Sequence, residues 1–185
     1  MELEKRLDDL KTLIQNPEFL AGKGLCGDVN ICFFCYDPKD EMVVRAFVQR
    51  LEEKKGSLQC RPKIFNLFQI FLEICHEKKI IDQIASLEDQ KGTKFLLEQM
   101  RNIANCATFV QKMQYGPQER GDVVIITGIG EAFPFIRIHS LLEAMQPFFP
   151  KVPIVALYPG TFDGRNVRLF DRLTPNAYYR AFNPL

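Results

Sequence analysis

Two cysteines three residues apart, Cys32 and Cys35, form the first group that could carry chemistry. A redox-active CxxC pair places a cysteine at a helix N-terminus, where the helix dipole stabilises the thiolate, and a zinc site requires about four ligands. Both cysteines lie inside the apolar run VNICFFCY, and on a strand they would point to opposite faces. No second CxxC motif or histidine pair accompanies them, so the spacing favours structural cysteines.

A glycine-rich loop, Gly22-Lys23-Gly24, is the second group to test. A P-loop has the pattern G-x-x-x-x-G-K-[ST] between a strand and a helix, and it wraps phosphate with its backbone amides. Here the lysine precedes the apolar run and is followed by Gly and Leu, and the run is followed by YDPKDE, which is acidic and lacks glycine. The sequence therefore predicts no nucleoside triphosphate hydrolysis and no cofactor.

A second glycine turn, Thr127-Gly128-Ile129-Gly130, follows a predicted strand and precedes a predicted helix. This is the position at which parallel sheets usually bind ligands. However, GIGEAF lacks the third glycine of a dinucleotide-binding fingerprint, and Glu131 would repel a phosphate. A ligand-binding turn and a merely tight turn both remain open, and the tight turn is favoured.

Arg137 and His139 could serve as an anion binder and an acid–base group. A spacing of two residues places side chains about 200° apart on a helix, so we expect them to point in different directions. The chain contains no recognisable Ser-His-Asp set, paired-carboxylate site or metal cluster. We therefore predict that it is not an enzyme and holds no metal.

Apolar runs alternate with amphipathic segments, which predicts a single α/β domain over residues 1–185. The spacing of Leu3, Leu7, Leu10 and Ile14 predicts an N-terminal helix over 2–15 that ends at Asn16-Pro17. Strands are expected at 29–36, 63–65, 122–127, 154–158 and 178–182, helices at 40–55 and 135–148, and a mainly helical excursion at about 66–115. Met42, Val43, Phe47 and Leu51 should face the sheet. The expected fold is a mostly parallel sheet flanked by helices, RecA-like or Rossmann-like, without a P-loop.

The charges nearly cancel, with 24 basic and 23 acidic side chains among 185 residues. Proteins that bind nucleic acid directly usually carry an excess of positive charge, so this balance argues against that class. The first twenty residues open with charged side chains rather than a signal peptide, and no apolar stretch reaches the length of a membrane span. Together with six cysteines in mostly apolar surroundings, these features predict a cytoplasmic protein.

Residues that follow the predicted strands should converge, because the carboxyl ends of parallel strands share one edge. The candidate crevice or docking surface comprises Asp37, Thr127, Gly128, Gly130, Glu131, Arg137, His139, Tyr158, Gly160, Asp163 and Arg165. A candidate basic face comprises Arg165, Arg168, Arg172 and Arg180, the first three at helical spacing. We interpret the edge as a docking surface rather than a ligand crevice, and the basic face as either solvated or in contact with DNA.

Several motifs occur in a specific order along the chain. The C-terminal third contains DVVIITGIGEAFPFIRIHSLLEAMQPFFPKVPIVALYPGTFDG, then LF and NAYYRAF, and the N-terminal part contains LEKRLDDL, NPEFLAGKGL and CFFCYDPKDEMVVR. This combination resembles the BrxB family of BREX (bacteriophage exclusion) defence systems. The matched positions, whose role is unknown, are Pro134, Phe135, Arg137, His139, Tyr158, Pro159, Gly160, Tyr178, Tyr179, Arg180 and Phe182.

The resemblance implies a small cytoplasmic bacterial protein that acts with other BREX proteins. The expected partners are the alkaline-phosphatase-like PglZ protein, the large AAA-type ATPase and the adenine-specific DNA methyltransferase. No catalytic residue is carried over from the family. The expected function is a non-catalytic scaffold or adaptor in a BREX complex; the alternatives are a degenerate nucleotide-binding sensor that uses the strand ends and a DNA-contacting accessory protein.

Overall fold

Apolar runs rich in β-branched and aromatic residues form the strands of this protein. The computed structural model describes residues 2–22, 30–163, 166–173 and 176–177. Its strands are β1 (Ile31–Tyr36), β2 (Arg61–Asn66), β3 (Asp122–Thr127), β4 (Ile154–Phe162), β5 (Asn166–Leu169) and β6 (Asn176–Ala177). All six residues of β1 and the first five of β3 are buried, as expected for strands covered on both faces.

Four parallel strands form the body of the sheet, in the order β2-β3-β4-β1. The end of β4 then pairs antiparallel with β5, which pairs antiparallel with β6. This arrangement confirms the predicted mostly parallel α/β fold.

Amphipathic segments form the helices between the strands. These are α1 (Glu2–Leu13), α2 (Pro17–Leu20), α3 (Glu41–Glu53), α4 (Leu67–Glu77), α5 (Ile84–Ile103), α6 (Cys106–Met113), α7 (Ile129–Ala132) and α8 (Ile138–Met145). The helix α5 is kinked at Gly92, whose φ is 81°. Among the described residues, none of the helices combines the length and the apolar character needed to cross a membrane.

Two apolar cores lie on the two faces of the sheet. Phe33 and Ile126 belong to the core that contains α4, α6 and α8, whereas Phe34 and Ile125 belong to the core that contains α1 and α3. Successive side chains of a strand alternate between faces, so the two cores are separated by the sheet itself. The described chain is therefore a three-layer arrangement.

The connections between parallel strands follow a single handedness. From β2 through β3 to β4 the chain moves one strand at a time in one direction, with α4, α6, α7 and α8 on one face. From β1 to β2 it moves in the opposite direction, with α3 on the other face. Reversing both the direction and the face preserves the hand of the crossover.

The buried side of α3 differs from the prediction. Met42 and Val43 are 71% and 39% exposed, whereas Val44, Phe47 and Leu51 are buried. The expectation that Met42 and Val43 face the sheet is therefore wrong. The helix starts at Glu41, after a 3₁₀ turn over Pro38–Asp40. Met42 lies five residues before Phe47 and therefore about 140° away from it around the helix, on the outer side.

Two further element boundaries are wrong in the sequence prediction. The helix expected over 135–148 begins only at Ile138, because Arg137 has an extended backbone and occupies the N-cap position. The strand expected over 154–158 continues to Phe162, because its last residues pair with β5.

The predicted helical basic face is also wrong. Arg168 lies in strand β5 rather than in a helix, and Arg172 follows the left-handed residues Phe170 and Asp171, with φ values of 54° and 57°. Arg165, Arg180 and the strand predicted over 178–182 lie outside the described residues.

Gly160 allows β4 and β5 to approach closely, and its replacement tests this packing. A Cβ atom at this position would overlap the backbone carbonyl oxygen of Arg168. We expect Gly160→Ala to lower the free energy of unfolding by about 1–3 kcal/mol, as overpacking typically does, measured by urea denaturation.

Gly56→Ala is the matched control, because no atom lies within 4 Å of a Cβ added at Gly56. We expect this variant to change stability by no more than about 0.5 kcal/mol. Equal stability of the two variants would contradict the close packing of β5 against Gly160.

Candidate functional site

The carboxyl ends of the parallel strands meet at one edge of the sheet. Tyr36, the last residue of β1, is paired in register with Pro159, and Asn66, the last residue of β2, is paired with Thr127 of β3. In open α/β sheets this edge is where ligands bind. The side chains that occupy it therefore decide what this protein can do.

Four side chains at this edge form a connected set, which we call the edge network: Tyr36, Glu41, Arg45 and Glu131. The Tyr36 hydroxyl donates to Glu41 Oε2 at 2.5 Å, and Arg45 Nε donates to Glu41 Oε1 at 2.9 Å. Arg45 Nη2 also lies 2.8 Å from Glu131 Oε2. The network thus ties helix α3 to helix α7 across the strand ends.

Contacts within the network shift the pKa values of Tyr36 and Arg45. Burial, followed by the hydrogen bond to Glu41, raises the pKa of Tyr36, so its hydroxyl remains a donor. The hydrogen bonds to Glu41 and Glu131 raise the pKa of Arg45. Two carboxylates therefore face one guanidinium, and the network carries a net charge of about −1, which disfavours binding of a phosphate.

A cavity of about 220 Å³ lies beside the network, lined in part by Gln49, Asn66 and Gly128. Two of these side chains, Gln49 and Asn66, already have partners within the chain. Gln49 Nε2 donates to Glu53 at 2.9 Å, and Asn66 Oδ1 accepts from the backbone amides of Phe68 and Gln69 at 3.0 and 3.1 Å. Asn66 is thus committed to capping α4.

The glycines of the edge are fixed by backbone conformation and by close packing. Gly128 has a φ of 68°, and a Cβ there would overlap the Asn66 side chain. A Cβ at Gly130 would lie 2.9 Å from the ring of Phe170 and 3.1 Å from Pro159. Both positions therefore have a packing reason for glycine without a ligand.

On the opposite face of the sheet, a second cavity of about 140 Å³ opens beside α8. We call it the α8 pocket. It is lined by Ile129, Phe133, Ile136, Arg137, Ile138, His139, Tyr158, Val167, Leu169 and Leu173. Arg137 and His139 line the same pocket, because Arg137 precedes the helix; the expectation that they point in different directions is wrong.

The polar groups of the α8 pocket lie among aromatic rings. The ring of Phe33 stands edge-on to Tyr158, with ring centroids 5.5 Å apart, and 6.4 Å from His139. Burial lowers the pKa of His139, assisted by Arg137 and opposed by Glu143. His139 is therefore a neutral imidazole near neutral pH.

Two predicted site residues have local roles in turns. Asp37 accepts from the backbone amide of Lys39 at 3.0 Å and pairs with the Lys39 ammonium at 2.6 Å, so it caps the 3₁₀ turn after β1. Asp163, which follows β4, accepts from the backbone amide of Asn166, the first residue of β5, at 2.8 Å. The structure does not describe Arg165, the remaining predicted residue of the edge.

The cysteines of the CxxC motif lie in different cores. Cys32 is in the core with α3, and Cys35 is in the core with α4. Burial raises the pKa of each thiol to about 12, so neither is a thiolate at neutral pH. Within the described residues, no group of three His, Cys, Asp or Glu side chains is arranged to hold a metal ion.

Sequence reasoning missed three members of the edge network: Tyr36, Glu41 and Arg45. The i,i+4 spacing of Glu41 and Arg45 on a predicted helix was an available signal. The contact between Arg45 and Glu131 joins distant parts of the chain, and no local pattern reveals it.

Burial of His139 predicts a pH dependence of stability. Its pKa is lowered in the folded state, so its stabilising contribution is complete above the unfolded value of about 6.5 and is lost as the pH falls through the folded value. We expect the stability of the wild-type protein relative to His139→Gln to decrease between pH 7.5 and pH 5, measured by urea unfolding. The titration of carboxylates that both proteins share cancels in this difference in the free energy of unfolding. A difference that stays constant or grows toward pH 5 would contradict the lowered pKa of His139.

Comparisons with known proteins agree with one another. The family model described as BREX protein BrxB matches residues 63–184. A BREX protein BrxB of Bacillus cereus (strain H3081.97) is 34% identical over 185 residues, which cover 97% of this chain and 96% of the relative. A BREX protein BrxB of Escherichia coli O9:H4 (strain HS) is 30% identical over 187 residues, which cover 97% of this chain and 90% of the relative.

No solved structure matches the chain, so the RecA-like or Rossmann-like comparison stays a prediction. The sequence matches, in contrast, extend over nearly the whole length of this chain and of both relatives. The chain therefore belongs to the BrxB family of BREX proteins.

Proposed function

We propose that this chain is a non-catalytic scaffold or adaptor subunit of a BREX complex. BREX stands for bacteriophage exclusion, so membership of the BrxB family implies a role in antiphage defence. In the proposed role the chain contributes shape and surface to the complex, while the chemistry resides in other subunits.

The observation that carries the proposal is that the charged side chains at the sheet edge are paired with one another. Where a nucleotide-binding sheet would present glycine amides and a free cation, Arg45 is held between Glu41 and Glu131. Asn66 is engaged in capping α4, and Gly128 packs against it. A phosphate at this edge would meet two carboxylates and would have to separate an existing ion pair.

The side chains with nucleophilic potential support the same proposal. The thiols of Cys32 and Cys35 are buried and have raised pKa values, which opposes formation of a reactive thiolate. These cysteines also point into separate cores, away from each other.

The two alternative functions have less support. A nucleotide sensor would need the sheet edge, which the acidic edge network occupies. A DNA-contacting protein would need a concentrated basic face, but Arg168 lies on a strand rather than on a helix shared with Arg172. Neither arrangement favours a polyanionic ligand.

The proposed partners are the PglZ phosphatase-like protein, the large AAA-type ATPase and the adenine-specific methyltransferase that the family resemblance implies. Exposed apolar side chains supply candidate contact points for them. Met42 and Val43 lie on the outer side of α3, and Phe148, which is 48% exposed, follows α8. Exposed apolar residues that adjoin one another favour protein contacts.

Co-purification from cells that express the whole BREX operon tests the proposed function. With an affinity tag on this chain, we expect at least one of the three partner proteins to be retained in a fixed ratio through size-exclusion chromatography. A tagged but unrelated cytoplasmic protein expressed in the same cells provides the control. Elution of the chain alone, with all three partners present in the lysate, would contradict a scaffold or adaptor role.

A further inference from the structure

We propose that the α8 pocket is a docking site for one aromatic side chain that lies beside a carboxylate in a partner protein. This inference rests on the proposed function and extends it, because it names the chemistry of the partner segment. It concerns a cavity that is separate from the edge network and lies on the other face of the sheet.

The size of the α8 pocket fits a single ring. Its volume is about 140 Å³, and an apolar cavity of roughly 150 Å³ is large enough to bind benzene. Three isoleucines, Ile129, Ile136 and Ile138, contribute to its wall. A phenyl group at this site would contact these apolar side chains.

The walls of the α8 pocket also favour an aromatic occupant over an aliphatic one. Phe133, His139 and Tyr158 line the cavity, and Phe33 packs edge-on to Tyr158 behind it. Edge-to-face and offset ring contacts stabilise aromatic pairs beyond the burial of area. An incoming ring would therefore join an existing aromatic cluster.

Arg137 gives the pocket its charge preference. Its side chain is exposed and lines the opening, and it forms no hydrogen bond or ion pair with any residue that the structure describes. The neighbouring carboxylates are those of Glu143, whose charge raises the pKa of His139, and Asp171, whose charge raises the pKa of Tyr158. Neither carboxylate forms an ion pair with Arg137. A guanidinium in this state is available for a bidentate contact with a carboxylate.

The local backbone explains why Arg137 stands at the opening. It occupies the N-cap position of α8 with an extended backbone and makes no side-chain cap hydrogen bond. On the other side of the pocket, Val167 and Leu169 of β5 point inward, and Arg168 between them points to the opposite face of the strand. The pocket thus has one cation at its rim and a second arginine close by that faces away.

Small probes test the pocket without the partner. Phenylacetate carries a phenyl ring and a carboxylate, and benzylamine carries the same ring with an ammonium group. In the full-length protein labelled with ¹³C at isoleucine methyl groups, we expect phenylacetate to shift the resonances of Ile129, Ile136 and Ile138, with a dissociation constant in the millimolar range for about ten heavy atoms. Ile14 and Ile74, which are buried elsewhere, should not shift.

Charge reversal at two exposed arginines completes the test. We expect Arg137→Glu to weaken phenylacetate binding about fivefold or more and Arg168→Glu to leave it unchanged, while benzylamine binds the wild-type protein more weakly than phenylacetate does. Absence of pocket shifts, equal binding of the two probes, or equal effects of the two variants would each overturn the inference.

The outcome is distinguishable from that of the proposed function. If the chain co-purifies with BREX proteins but phenylacetate shifts no isoleucine resonance of the α8 pocket, the docking site is refuted and the adaptor role remains intact. Selective binding of phenylacetate by a chain that never co-purifies with those proteins would refute the adaptor role.

Discussion

Arg45 stands between two carboxylates at the edge of the sheet where an α/β protein normally meets its ligand, and the binding properties of this edge depend on that contact. The guanidinium reaches Glu41 on its own helix and Glu131 on α7, so the two helices that flank the strand ends are held together. Because Glu41 also accepts the Tyr36 hydroxyl, the network is anchored to the last residue of β1. The edge is closed by interactions within the chain.

The ion pairs of the edge network contribute little to the stability of the fold. The side chains of Glu41, Glu131 and Arg45 are 29%, 36% and 47% exposed, and ion pairs at such sites contribute about 0–1 kcal/mol each. The fold itself is stabilised by the two apolar cores, which bury Phe33 and Phe34 completely on opposite faces of the sheet. The network therefore determines what the edge can bind more than whether the chain folds.

Sequence patterns predict the parts of this fold in which local and tertiary preferences agree. The continuous apolar runs at β1 and β3 identify buried strands. The predictions fail where tertiary pairing decides. The sequence suggests that β4 ends before Gly160, but pairing of Gly160 with Leu169 extends the strand. Likewise, the spacing of the arginines is compatible with a helix, but Arg168 lies in strand β5.

Prediction of the candidate site also fails where contacts between distant parts of the chain decide the structure. Glu131 was expected to oppose phosphate binding, but its partner Arg45 could not be identified, because ion pairs between distant segments leave no local pattern. Likewise, Arg137 and His139 share one pocket only because the helix begins one residue after Arg137, and element boundaries are the least predictable feature of a sequence. Residue types at the edge were predictable, whereas their pairing was not.

The central claim, that the sheet edge is closed structure and that this chain acts through its surface, is tested most directly by dismantling the edge network in a bacterium with an active BREX system. The variant combines Tyr36→Phe, Glu41→Gln, Arg45→Met and Glu131→Gln, and the measurement is the efficiency of plating of a BREX-sensitive phage. We expect restriction within about tenfold of wild type, provided that the protein accumulates normally, because the changes remove three charges and one hydroxyl group while preserving approximate volume. Complete loss of restriction by a variant that accumulates and still co-purifies with its partners would show that the edge carries out chemistry or ligand binding, and would contradict the claim.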